Sequence, residues 1–219
     1  MTSRYCNDWP SRRSIVHTLQ QLVTSGLNKG TSGNVSVRTD NGMLITPTGV
    51  SPHELSEPDI VQMSFHGAVD ADQPIPSSEW QMHADVYQAK PEVNAIVHCH
   101  SAYATILACA RRSIPAMHYM VAAAGGRGVP LADYATFGSK ELSLASVQAL
   151  EKASACLLAN HGQLATGADL ESALKLAELV KEQAHCYWGT LAIGGPTLLS
   201  DHEMDRVAAA FKTYGQQRV

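Results

Sequence analysis

Apolar residues at Ile15, Leu19, Leu22 and Val23 recur at helical spacing and stop at Gly26, so residues 11–25 are predicted to form an amphipathic helix ended by a glycine. A polar loop runs from Asn28 to Asn34. The β-rich runs 35–38 and 43–46 flank Asp40-Asn41-Gly42, a hairpin-turn sequence, and Thr46-Pro47-Thr48-Gly49 adds a further turn. Residues 60–64 supply another strand. Pro76-Ser77-Ser78 opens a helix with Trp80, Ala84 and Tyr87 on its inner side, ending before Pro91 because the residue before proline avoids helical geometry.

The run Ala95-Ile96-Val97 predicts a buried strand over residues 93–98, and residues 155–159 predict a second one. Residues 101–110 and 139–151 read as helices. Leu170, Ala173, Leu174, Ala177 and Val180 mark one face of a long helix. A last helix starts at Ser200, where Glu203 completes a capping-box pattern, and runs to about Tyr214. Alternating strands and helices predict an α/β fold, and the early hairpin makes the sheet mixed rather than all parallel. The expectation is a single three-layer domain over residues 1–219, with a mixed central β-sheet flanked by helices on both faces.

Composition narrows the partners. At 219 residues the chain can bury one substantial core, and its 45% apolar content is that of an ordinary globular protein. A net charge of −4 offers no basic excess for a nucleic-acid backbone or an anionic membrane, which favours a small ligand. Cys6, Cys99, Cys109, Cys156 and Cys186 form an odd set without a CxxC pair, and no basic, apolar leader precedes the first helix. These features predict a reducing, cytoplasmic setting. No apolar run approaches the roughly 18 residues of a membrane span.

The chemistry-bearing residues gather at the ends of the predicted elements. His98-Cys99-His100 closes a buried strand, and residues two apart on a strand point to one side, so both imidazoles can converge on one ion. His161 occupies a similar place, where Cys156-Leu157-Leu158 gives way to Asn160-His161-Gly162. Three neutral imidazoles with a position left open describe a catalytic zinc site, whereas a structural site is closed by four ligands and is usually thiolate-rich. Unrelated packed or surface histidines would give the same spacing. Cys99 points to the opposite side and is assigned to packing.

Glu79 follows Ser77-Ser78 at a helix start, where the dipole favours a carboxylate by about 0.3–1 kcal/mol without any further role. The same serines and first-turn amides make an anion site. Thr31-Ser32-Gly33-Asn34 and Thr48-Gly49 are further candidates for phosphate oxygens, or plain turns. Tyr119, beside His118, reads on its own as a half-buried packing residue. His17, His53, His66, His83, His185 and His202 lack comparable partner spacing and are read as structural or exposed.

Taken together, these segments make the chain resemble the class II aldolase/adducin family. The resemblance rests on GLNKGTSGNVSV at 26–37, GMLITPTG at 42–49, PSSEW at 76–80, HCH at 98–100, SIPAMHYMVAAAGG at 113–126, YATFG at 134–138, NHG at 160–162 and FKTYG at 211–215. It implies zinc held by His98, His100 and His161, with Glu79 completing the resting coordination and becoming the base when substrate chelates the metal. It also implies phosphate held by Asn34, Thr48, Gly49, Ser77 and Ser78. Tyr119 would reach a neighbouring subunit's site, and Phe137 with Tyr214 would help enclose it, in a four-fold homotetramer. Two departures from the family pattern, Cys99 between the histidines and Ala159-Asn160 before His161, remove no ligand.

The implied reaction is reversible cleavage of a ketose 1-phosphate, L-fuculose 1-phosphate or similar, to dihydroxyacetone phosphate and a small aldehyde through a metal-stabilised enediolate. Ribulose 1-phosphate and 5-deoxypentulose 1-phosphates are equally compatible. An L-ribulose-5-phosphate 4-epimerase shares the metal histidines but carries aspartate in place of Glu79. A sugar-phosphate dehydratase shares the histidines and the glutamate, and an adducin-like interaction module would keep the fold without catalysis.

Overall fold

In the computed structural model, which describes residues 8–211, the predicted hairpin forms as β1 (Asn34–Thr39) and β2 (Gly42–Ile45), paired antiparallel with Thr39 opposite Gly42. β3 (Val61–Met63) extends the β2 edge. On the other side β4 (Ala95–Cys99) pairs antiparallel with β1, aligning Asn34 with His98. β7 (Gly162–Gly167) joins β4, β6 (Ala155–Leu158) joins β7, and the short β5 (Leu131–Ala132) adds a parallel pair at the edge. The order is β3-β2-β1-β4-β7-β6-β5. The sheet is mixed, as expected, but β5 with β6 is its one parallel pairing among the described strands.

β5 and β7 carry no clear strand signal in the sequence. β7 reads Gly-Gln-Leu-Ala-Thr-Gly, with glycine at both ends, and it is a strand because β4 and β6 saturate its backbone groups from either side.

Helices cover both faces. α1 (Trp9–Thr24), α3 (Ala102–Cys109) and α5 (Leu170–Ala192) pack with Ala95, Val97 and Cys99 of β4 in one apolar cluster. α2 (Trp80–Ala89) and α4 (Lys140–Ala149) pack with Ile96 in the other. Period-two alternation therefore sends Cys99 toward α5 and His98 toward α2, which fixes the side of the sheet on which the site forms. Each fully buried leucine or isoleucine in these clusters contributes roughly 1.5–3 kcal/mol of transfer free energy.

α2 buries Met82, Ala84, Val86 and Tyr87 as its pattern requires, while Trp80 is half-buried. Arg38 tethers the far end of α2 by donating to the carbonyls of Tyr87, Lys90 and Val93 at 2.7, 3.0 and 2.8 Å. α6 (Asp201–Phe211) starts where the capping pattern placed it, and the Ser200 hydroxyl accepts from the Glu203 amide at 3.2 Å. The reciprocal half of the box is replaced: the Glu203 carboxylate pairs with Arg206 at 2.8 Å. The predicted end of this helix near Tyr214 lies outside the described residues.

A 3-10 segment, Tyr119–Ala124, ends at Gly125 in the left-handed region and packs against α6. Arg127 fastens the two by pairing through Nη1 with Asp201 and through its Nε–Nη2 edge with Asp205. No helix among the described residues is long and apolar enough to cross a membrane.

Candidate metal centre and its cavity

Three imidazoles converge at the end of β4. His98 donates Nδ1–H to the Gln163 carbonyl across the β4–β7 pairing at 2.9 Å, which leaves Nε2 with its lone pair facing outward. His100 follows the strand, with its amide bonded to Asn28 Oδ1 at 2.8 Å, and its Nε2 lies 3.0 Å from that of His98. His161 comes from the β6–β7 hairpin, where Asn160 has a φ of 54°, a left-handed conformation that asparagine tolerates better than most residues. The three ring centroids lie 4.8–4.9 Å apart at mutual tilts of 73–74°.

Glu79 closes the group from α2. It is the helix N-cap by position, yet its side chain makes no capping bond, so the simple dipole explanation of its placement does not hold. Instead Oε2 lies 3.2 Å from His98 Nε2 and Oε1 lies 3.4 Å from His161 Nε2. Asn34 Nδ2 donates to Oε2 at 3.0 Å, while Oε1 is buried without a hydrogen-bond partner among the described residues.

This donor set fits a divalent cation. Three nitrogens pointed at one another within 4.8 Å, beside a buried carboxylate with an orphaned oxygen, need positive charge between them. The protonation preferences carry the same demand. Burial alone would lower the His98 pKa, but the Glu79 carboxylate and the Gln163 carbonyl raise it above its ordinary value. Burial, followed by the charge of His98, pushes His100 down to about 3 and His161 down to about 4, so both stay neutral lone-pair donors. Burial would raise Glu79, but His98, His161 and Asn34 override it and hold the carboxyl well below the usual range.

A cavity opens from this cluster. It is lined by Glu79, His100 and His161 together with Asn34, Thr48, Gly49, Ser77 and Ser78, the residues singled out for phosphate. Thr31, Ser32 and Gly33 complete that polar end. Gly33 is required there: its φ is 79°, and a Cβ would fall 2.7 Å from the His98 carbonyl oxygen. Tyr134, Phe137 and Asn160 also line the cavity. Among the described residues, no lysine or arginine lines it.

Tyr119 stands apart. It is 49% exposed, does not line its own chain's cavity, and stacks on Phe211 with centroids 6.3 Å apart. Tyr214 lies outside the described residues. Cys99 packs in the α5-side cluster as expected, its thiol accepting from Gln163 Nε2 at 2.9 Å.

His83 is the residue that sequence reasoning missed. It is fully buried and bonded to Asn34 and Ser36, and its spacing of four from Glu79 on α2 was the signal. Tyr134 and Asn160 carried no such signal, because only the closure of the hairpin and the loop before α4 brings them to the cavity.

The profile of the class II aldolase and adducin N-terminal domain matches residues 13–188. A 5-methylthioribulose-1-phosphate/5-deoxyribulose-1-phosphate aldolase of Rhodospirillum rubrum is 48% identical over 204 residues, covering 93% of this chain and 92% of that protein. An L-fuculose phosphate aldolase of Escherichia coli (strain K12) is also 48% identical over 204 residues, covering 93% and 94%. A solved L-fuculose 1-phosphate aldolase superposes with a TM-score of 0.90 at 41% identity, over 97% of this chain and 98% of its own. The chain belongs to the class II aldolase and adducin family, as one of its aldolases.

Proposed function

We propose that this enzyme is a zinc-dependent aldolase that reversibly cleaves a ketose 1-phosphate to dihydroxyacetone phosphate and a small aldehyde. The observation that carries the reading is Glu79, a buried carboxylate with one uncommitted oxygen set beside three convergent imidazoles at the end of a polar cavity. His98, His100 and His161 would hold the zinc, with Glu79 as a further ligand at rest. Bound there, zinc would supply the Lewis acidity for carbon–carbon cleavage, so a lysine Schiff base is not needed.

The chain's own residues divide the remaining work. The Thr48 and Ser77 amides are spent on Ile75 and Thr46, which leaves the hydroxyls of Thr48, Ser77 and Ser78 and the amides of Gly49 and Ser78 as phosphate donors. Asn34 has a second amide hydrogen beyond the one given to Glu79. With no cationic side chain on the wall among the described residues, phosphate is gripped by neutral donors that orient the substrate. Glu79 Oε1 takes the proton from the nucleophilic carbon of dihydroxyacetone phosphate and returns it in the reverse direction. A positioned acid/base of this kind typically contributes about 10²–10⁴ in rate.

Tyr119 is assigned to proton transfer at the aldehyde-derived oxygen in a neighbouring subunit's site, within a homotetramer. Its exposure, and its absence from its own chain's cavity, support that placement. Phe137 helps enclose the aldehyde end, and Tyr214 is assigned the same role. The four described cysteines are unpaired, which supports a reducing, cytoplasmic setting.

The similar relatives act on 5-methylthioribulose, 5-deoxyribulose and fuculose phosphates, so the aldehyde is drawn from the same small class. Zinc-loaded protein given dihydroxyacetone phosphate with L-lactaldehyde or glycolaldehyde should form a ketose 1-phosphate, and Glu79→Gln should lose most turnover. Interconversion of L-ribulose and xylulose 5-phosphates without aldehyde release would replace this reading with an epimerase. No turnover of any sugar phosphate would leave an interaction module.

A further inference from the structure

Behind Glu79 the buried polar groups form a single file. Asn34 Nδ2 lies 3.0 Å from Glu79 Oε2, and Asn34 Oδ1 lies 2.6 Å from His83 Nε2. His83 Nδ1 lies 2.7 Å from Ser36 Oγ, which lies 2.8 Å from the Tyr87 hydroxyl. All five side chains are buried.

The direction of every bond in this file follows from its first member. A carboxylate only accepts, so the asparagine must turn its NH2 toward Glu79 and its carbonyl oxygen toward His83. That oxygen also only accepts, so His83 must carry its proton on Nε2 and accept on Nδ1. Ser36 then donates to Nδ1 and takes its own bond from Tyr87. His83 needs no charge to do this: burial first, and the charge of His98 second, push its pKa down to about 3. Burial likewise raises Tyr87 above its ordinary value, so it remains a donor.

We infer that His83 is a positioning residue for Glu79, locking the Asn34 amide so that Oε2 is held as an acceptor and Oε1 alone is presented for proton transfer. The inference rests on the aldolase reading above. Without the Nε2–H, the Asn34 amide loses the partner that fixes its orientation, and Glu79 can rotate between its two oxygens. His83 does not line the cavity and reaches Glu79 through Asn34. Aligned donors in a buried file also polarise one another, which strengthens the final bond to the carboxylate.

The step that reads this out is proton exchange on dihydroxyacetone phosphate without an aldehyde. The carbon-bound proton moves to Glu79 Oε1, its electron pair staying on carbon in conjugation with the carbonyl, and a solvent-derived deuteron returns to the carbon. Zinc-loaded protein in D2O should show the loss of that signal by proton NMR. His83→Leu should slow the exchange by about 10–100-fold, the usual cost of losing a supporting partner. Its zinc content should be unchanged, and its KM for dihydroxyacetone phosphate should rise by less than the exchange rate falls, because Asn34 is one of several phosphate donors. His83→Gln, whose amide N–H can take the place of Nε2–H, should recover most of the rate.

Exchange by His83→Leu at the wild-type rate would overturn the inference. So would equal impairment of both folded, zinc-loaded variants, since that is the pattern of a residue that only fills space. A measurement on the wild-type protein does not depend on the folding of any variant: ¹⁵N shifts of His83 should show a protonated Nε2 and an unprotonated Nδ1. The opposite tautomer or an imidazolium would overturn the file. Absence of exchange in the wild-type protein would remove the aldolase reading instead, and the tautomer would still decide the orientation of the file.

Discussion

Gly162 stands against His100: a Cβ at position 162 would fall 2.7 Å from the imidazole Cδ2 and 2.6 Å from the Cys99 carbonyl oxygen. The glycine lets the β6–β7 hairpin close over the end of β4, bringing His161 to the other two histidines. Gly162→Ala should therefore displace His100 or open the hairpin. The expected result is a metal affinity about ten-fold weaker or worse, the size of effect seen when the supports of a ligand are disturbed. Competition with a chromophoric chelator measures it, and an unchanged affinity would show that the hairpin absorbs the methyl without moving a ligand.

The convergence of the three Nε2 atoms predicts about one zinc per chain in protein purified without chelator. His98→Ala, His100→Ala and His161→Ala should each lower that content and abolish turnover, and zinc should restore chelated wild-type enzyme. Undiminished stoichiometric zinc in the triple variant would place the ion elsewhere.

Acid should weaken the metal site in a defined direction. In metal-free protein, a His98 pKa raised above 6.5 contributes stability that is complete below that value and lost as pH rises through the folded value. A Glu79 pKa depressed below 4.5 contributes stability present above 4.5 and lost as pH falls through the folded value. The pair thus steadies the metal-free fold between 4.5 and the raised His98 pKa. Zinc competes with the His98 proton, so the gain in Tm on adding zinc should grow as pH rises from about 5 to about 8. A gain independent of pH would mean that no ligand proton is displaced.

Tyr119, exposed and resting on Phe211, is expected to serve a neighbouring subunit. Tyr119→Phe should lower aldol turnover by roughly 10²-fold, the low end of what a positioned acid supplies, while zinc content and phosphate binding persist. Mixed with Glu79→Gln under conditions where differently tagged chains exchange, it should regain part of the activity, because some sites would combine both native residues. No recovery in proven hybrids would assign Tyr119 to its own subunit or to no catalytic step.

Much of this protein was legible in short stretches of sequence, because the signals involved are local. The 3.6-residue period of α1, the Asp40-Asn41-Gly42 turn and the apolar run of β4 each act over a few neighbours, and each produced its element to within a few residues, while the period over residues 170–180 marks the start of α5, which continues to Ala192. The His98 and His100 pair was equally local, since strand alternation sets its side. Tertiary structure decided what depends on distant partners. β7 is a strand because β4 and β6 complete its hydrogen bonds, and that pairing carries His161 across the sheet to the pair. Glu79 looked like a helix-start residue, and only the packing of α2 beside β1 and β4 turned its carboxylate from the helix dipole to the imidazoles. In the sequence His83 reads as an isolated histidine; the β1 register sets Asn34 and Ser36 beside it, and a hydrogen bond between residues 49 apart in sequence leaves no periodic trace.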